Sequence, residues 1–182
     1  MQTTNDNYRV SSIPSEGSSW FTINNGVIAF YMDPRNWLTE DRVFMFEQLG
    51  YAKELESNYL PMVKAVFDSG KLADDKYTIP MVNAGKLNGI SPVHIASRIS
   101  LEVGNNGSDS TNGGEFTFKG QTYSGYYNFF NIGAYEETID GVKYNSVQRG
   151  LAVAAKLIPR DGIVWDTIEA SISEGSRFLA NG

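Results

Sequence analysis

Apolar positions recur at helical spacing most clearly at Val93, Ile95, Ala96, Ile99 and Val103, one face of a helix with a period near 3.6 residues. Ser91 is a good N-cap and Pro92 is preorganised for the first helical position. Gly104 ends the pattern. Other helices are expected from Thr39-Glu40-Asp41 through Val43, Phe44 and Phe46 towards Gly50, from Pro61 to Phe67, and after Pro80 up to Gly85 or Gly89. Two more close the chain, one from about Ser146 to Ile158, stopped by Pro159, and one from about Trp165 to Leu179. Trp20 to Met32 is an apolar run with a turn signal at Asn24-Asn25-Gly26. Asn105 to Gly114 is wholly polar or glycine and reads as a loop. After it, Glu115 to Phe118 and Gln121 to Tyr123 alternate around Lys119-Gly120, the pattern of a small hairpin. The expectation is a mainly α (α+β) fold with one hairpin inserted after the Ser91 helix. Residues 1–18, rich in Ser, Thr and Asn, read as a linker or tail, and residues 19–182 as one domain.

Composition narrows the partners. Of 182 residues 41% are apolar, enough to bury a core, and only 20% are charged, which separates the chain from acidic disordered sequences. The formal net charge of -6 argues against nucleic acid, which calls for a basic stripe, and against docking on anionic lipid. No apolar run approaches the ~20 residues that span a bilayer. Residues 1–7 are polar and do not read as a signal peptide. The chain is then either an internal protein or a piece of a longer exported one.

The residues present also limit the chemistry. There is no cysteine and one histidine, His94, so thiolate sites are excluded, and a zinc hydrolase site, which normally takes at least two histidines or histidine with cysteines, finds no ligand set. His94 falls in the first turn of a helix, where capping or packing is the ordinary role. No GxSxG and no phosphate-binding glycine loop is present. Carboxylates and tyrosines remain, and a pair of carboxylates is the usual equipment of glycoside hydrolysis. Among them Glu102 stands out. It follows Ile95 and Ile99 on the apolar face and lies in the last helical turn, where the negative end of the helix opposes an anion. Both features predict a raised pKa, as a general acid needs. The plain alternative is a solvated glutamate paired with Arg98, four residues earlier. Tyr123, Tyr126, Tyr127, Phe129, Phe130 and Tyr135 form either a sugar-stacking surface or a core segment with spare tyrosines.

At this point the residues resemble a known family. Gly89-Ile90-Ser91-Pro92 through Ser97-Arg98-Ile99-Ser100-Leu101-Glu102-Val103-Gly104 resembles the catalytic helix of the peptidoglycan N-acetylglucosaminidases of glycoside hydrolase family 73. Tyr126-Tyr127-Asn128-Phe129-Phe130-Asn131-Ile132-Gly133-Ala134 resembles that family's second hallmark. Met32 to Leu38 and Phe44 to Glu47 are similar to clostridial and other Gram-positive autolysins, and the tail from Gly150 to Ala180 resembles the closing helices. At position 101 the family pattern has Gln and this chain has Leu.

The resemblance implies a lysozyme-like, two-lobed fold, a helical lobe facing a small β-lobe across a groove. It implies a secreted cell-wall enzyme that hydrolyses the β-1,4 bond between N-acetylglucosamine and N-acetylmuramic acid in the peptidoglycan glycan strand. No metal or cofactor is implied; the enzyme is expected as a monomer, fused in the full protein to wall-targeting modules. Glu102 matches the catalytic glutamate and Tyr127 the active-site tyrosine. Glu115 is the candidate second carboxylate, with Asp109 behind it. Tyr123, Tyr126, Asn128, Phe129 and Phe130 are candidate substrate-binding residues. Without a second carboxylate the substrate's acetamido oxygen attacks the anomeric carbon instead, an attested exception. Two other readings stay open: a muramidase or lytic transglycosylase of the same fold, and a non-catalytic module that binds wall glycan.

Overall fold

A computed structural model describes residues 2–15, 17–39 and 49–181. The helix expected from Thr39-Glu40-Asp41 through Val43, Phe44 and Phe46 lies outside the described residues. The chain forms two compact units, Met1–Glu47 and Gln48–Gly182.

In the first unit, strand β1 (Gln2–Thr3) pairs antiparallel with β2 (Phe21–Thr22), Gln2 opposite Thr22. Arg9 bridges Ile23, and the Asn24 amide donates to the Tyr8 carbonyl at 2.9 Å. The stretch read as a tail thus runs beside residues 21–24. Asn24, expected in a turn, instead caps helix α1 (Asn25–Met32), its side chain accepting from the Val27 amide at 2.9 Å. Turns and caps use the same property of asparagine, a short side chain that satisfies nearby backbone amides.

The second unit is built from helices α2 (Tyr59–Phe67), α3 (Asp75–Asn88), α4 (Pro92–Val103), α5 (Ser146–Ala154) and α6 (Ile168–Asn181), with hairpins β3–β4 (Phe116–Phe118, Gln121–Tyr123) and β5–β6 (Glu137–Ile139, Val142–Tyr144) between α4 and α5. Helix α3 starts five residues before Pro80, because Asp74 caps it by accepting from the Lys76 amide and because Tyr77, Pro80 and Met81 are all buried. That packing offsets the hydrogen bond a proline removes, a cost of about 3 kcal/mol in a helix interior. Helix α5 ends earlier than expected. Lys156 takes a left-handed φ of 57°, and Arg160 donates to the carbonyls of Val153 and Ala154, so a side chain caps the helix four residues short of Ile158. Helix α6 begins at Ile168 rather than Trp165, where the Thr167 hydroxyl accepts from the Ala170 amide.

Two hairpins, not one, follow α4. They share a core: Phe116, Phe118 and Tyr144 are buried with Leu151 and Ala152 of α5. The Tyr144 hydroxyl accepts from the Lys119 amide at 3.0 Å, tying the second hairpin to the turn of the first. The larger core gathers Val63, Phe67, Met81, Ile95, Ile99, Phe129, Phe130 and Ile172 from α2, α3, α4, α6 and the loop before β5. Among the described residues no helix is long and apolar enough to cross a membrane.

Candidate active site

Helix α4 forms where the periodicity placed it, with Pro92 in its first turn and Ile95 and Ile99 fully buried. Glu102 continues that face to the edge of the core and is half-buried. Its carboxylate pairs with Arg98, Nη2 to Oε1 3.1 Å, one turn earlier. This is the ordinary pairing that the spacing offered. Gly104, at φ 72°, turns the chain away from the helix.

The last carbonyls of a helix have no partner within it, and here a distant side chain supplies one. Asn131 Nδ2 donates to the Glu102 carbonyl at 2.8 Å, while its Oδ1 accepts from the Ser110 hydroxyl at 3.3 Å. Asn131 itself sits at φ 49°, a left-handed conformation that asparagine tolerates better than most residues. The Asn128 amide donates to the Ser110 carbonyl at 2.7 Å. The two stretches singled out in the sequence, the end of α4 and the loop from Tyr126 to Ala134, are therefore fastened to one another and to the short helical turn Asp109–Thr111. Asn131 was not among the residues expected at the site. Its place in the quoted motif was the available signal.

The aromatic segment divides by burial. Tyr123 and Tyr126 are half-buried around Phe116, with ring centroids 5.5 and 6.1 Å away. Tyr127 is half-buried; its amide donates to the Trp165 carbonyl at 3.0 Å, and a side chain on Gly113 would collide with its hydroxyl end. Gly113, at φ 71°, thus leaves room for that phenol. Asn128 and Phe129 are fully buried and Phe130 nearly so. These three, expected as substrate-binding residues, are turned inward: Asn128 Nδ2 donates to the carbonyls of Ile132 and Gly150, its Oδ1 accepts from the Ile132 amide, and the two phenylalanines belong to the larger core. Tyr135 is exposed and lies under the Arg149 guanidinium, 3.6 Å from its ring centre. His94 is half-buried near the start of α4.

Glu115 and Asp109 are both exposed and line one polar cleft of about 630 Å³, with Asn112, Thr117, Asn145 and Gln148. Glu102 does not line that cleft. Another carboxylate is held more firmly. Glu137, on β5, accepts from Arg149 Nε at 2.6 Å, and Arg149 also donates to Gly133 and Tyr135. Among the described residues no three histidine, aspartate or glutamate side chains converge as a metal shell.

No family model matches the chain, and no curated protein matches it. Among solved structures, the crystal structure of Major Bifunctional Autolysin is similar, with a TM-score of 0.59 at 20% identity over 96% of this chain and 63% of that one. The likeness is one of fold: a mostly helical chain with small antiparallel hairpins. The chain spans 63% of the length of that structure.

Proposed function

We propose that the chain is a peptidoglycan hydrolase of the bacterial cell wall, an endo-β-N-acetylglucosaminidase that cleaves the bond between N-acetylglucosamine and N-acetylmuramic acid with Glu102 as proton donor. The observation that carries the reading is the bond from Asn131 to the Glu102 carbonyl. It joins the two stretches that resemble the family's hallmarks, 29 residues apart, in a chain whose fold is like that of an autolysin. The end of α4 and the β3–β4 hairpin are read as the two sides of a lysozyme-like groove, and the enzyme is taken to act outside the cell as a monomer.

In this mechanism the glycan displaces Arg98 from Glu102, and the protonated carboxyl donates to the leaving oxygen. The second group then decides the stereochemistry. Glu115 has exposure and a neighbouring acid but no hydrogen bond that fixes its carboxylate among the described residues, and nucleophilic catalysis depends on tight positioning. This favours attack by the substrate's own acetamido oxygen, with retention. Glu115→Gln is accordingly expected to keep most activity and to give a retained first product, followed by NMR. Near-complete loss, or an inverted product, makes Glu115 the second catalytic group. The hydroxyl of Tyr127 is assigned the support of the acetamido group or the developing charge, so Tyr127→Phe should lower turnover about tenfold or more with an unchanged circular dichroism spectrum. Equal activity would reduce Tyr127 to packing.

Mass spectrometry of muropeptides released from purified walls tests the bond specificity. Reducing-end N-acetylglucosamine is expected. Anhydromuramic ends would instead show a lytic transglycosylase, and no release at all a glycan-binding module.

A further inference from the structure

We propose that the first unit carries a glycan-docking cleft of its own, which takes uncharged N-acetylated sugar rings of the wall polymer on aromatic walls. The proposal rests on the reading of the substrate as peptidoglycan. The cleft, of about 340 Å³, is lined by Tyr8, Asn24, Gly26, Val27, Phe30 and Tyr31, all within Met1–Glu47. That volume lies in the range of small-molecule sites.

The sequence of α1 makes the cleft. Val27 to Met32 are all apolar, yet no residue of the helix is buried. Phe30, Tyr31 and Met32 are 52%, 46% and 68% exposed. An apolar helix left open in this way marks an interaction surface. Its rings are also fixed from behind. The last carbonyls of a helix lack partners within it, and the turn after α1 supplies two. Asn36 Nδ2 donates to the Phe30 carbonyl at 2.8 Å, and Trp37 Nε1 to the Tyr31 carbonyl at 3.0 Å. The buried Trp37 ring stacks on Tyr31, centroids 5.2 Å apart, and meets Phe30 in a T-shaped contact at 5.8 Å. Rings ordered beforehand lose little freedom on binding.

The lining names the occupant. Tyr8, Phe30 and Tyr31 are aromatic, and no lining side chain is charged. Nearby, Asp6 pairs with Arg9 and Asp33 with Arg35, so the described charges of the unit cancel and complement an uncharged ligand. A sugar ring lays a flat C–H face on an aromatic ring, whose own face carries negative charge, and it keeps hydroxyls at its edge. The Tyr8 hydroxyl makes no hydrogen bond among the described residues and can serve them. A lipid chain or the apolar face of a partner protein calls for aliphatic walls instead, and Val27 is the one aliphatic side chain of this lining.

Glu102, Glu115, Asp109 and Tyr127 all belong to the second unit. A cleft in the first gives the enzyme a second hold on the same polymer. The second contact then acts at the effective concentration set by the first, which keeps the enzyme on an insoluble wall between cleavages.

The test uses the three tryptophans of the chain, whose indole N–H groups give separate resonances in a ¹H–¹⁵N spectrum. Trp20→Phe and Trp165→Phe identify two of them and leave Trp37 as the third. Titration of the whole chain with tri-N-acetylchitotriose in the millimolar range, where weak sites saturate, should move the Trp37 resonance to a plateau, because Trp37 bonds and stacks on Tyr31. Trp165, whose carbonyl accepts from the Tyr127 amide, reports sugar bound in the second unit separately. Phe30→Leu keeps an apolar side chain and loses the flat ring, so it should raise the Kd read at Trp37 roughly threefold or more, while Phe30→Tyr stays near wild type. A Trp37 resonance that stays still under the sugar overturns the proposal, and one that moves instead with phosphatidylcholine vesicles or with raised protein concentration makes the face a lipid-binding or self-docking surface. An equal Kd in Phe30→Leu also overturns it, since the rings then contribute nothing beyond apolar area. Binding is read without any cleavage, so a wrong assignment of the reaction would show in the muropeptides and leave this measurement unaffected.

Discussion

Replacing Glu102 with glutamine should reduce wall lysis by roughly 10²–10⁴-fold, the usual worth of general acid catalysis, or about 2.7–5.4 kcal/mol on the barrier. Shape and hydrogen-bonding reach are kept; the transferable proton is lost. The fold should not respond, because the Glu102 carboxylate is only partly buried and its partner Arg98 is 40% exposed. Ion pairs this open contribute about 0–1 kcal/mol. The bond that ties α4 to the 126–134 loop is made by the Glu102 carbonyl, which the substitution leaves alone. Arg98→Gln is the control: it breaks the same ion pair and spares the acid, so lysis should stay within about tenfold of wild type. Near-normal lysis by Glu102→Gln removes Glu102 from the mechanism. An equal loss in both variants would mean that lysis depends on the ion pair and not on the proton.

Helix α4 was legible because every local cue agreed: a capping position at Ser91, Pro92 in the first turn, an apolar period and a terminating glycine. The β3–β4 hairpin was legible from its alternation around Lys119-Gly120, and both of those residues take positive φ in the structure. The β5–β6 hairpin turns on Asp140-Gly141 in the same way, at φ 51° and 78°. Asp-Gly is a strong hairpin signal, but the flanking strands are three residues each and bury only Tyr144 of their six positions, so the alternation of Val142-Lys143-Tyr144 was too short to read as a strand. The start of α3 was hidden by Pro80, whose cost is met only by packing that the chain reveals on folding. At the candidate site, Glu102 was singled out by its position at the edge of an apolar face. Asn131 was signalled only by its place in the quoted motif, because its role depends on a carbonyl 29 residues away. The aromatic motif was read by residue type, and type does not say which side a ring faces. Phe129 and Phe130 turned inward, while Tyr123, Tyr126 and Tyr127 stayed at the boundary.

Asn128 is where that difference has the largest consequence for stability. Its Nδ2 donates to the carbonyls of Ile132 at 2.9 Å and Gly150 at 3.0 Å, and its Oδ1 accepts from the Ile132 amide at 3.1 Å. The side chain is wholly buried, so water cannot take over these partners. Asn128→Ala strips all of them at once and leaves buried backbone groups unmet, each at about 1–3 kcal/mol. A loss of about 3 kcal/mol or more is expected, and for a domain of this size that lowers Tm by roughly 6–12 °C. The same bonds hold Ile132 next to Asn131, and through it the end of α4, so activity should fall in step with the folded fraction while KM at low temperature stays near wild type. Thermal unfolding followed by circular dichroism, with lysis rates well below the transition, separates the possibilities. An unchanged Tm with a raised KM would return Asn128 to the glycan-facing surface that its motif first suggested.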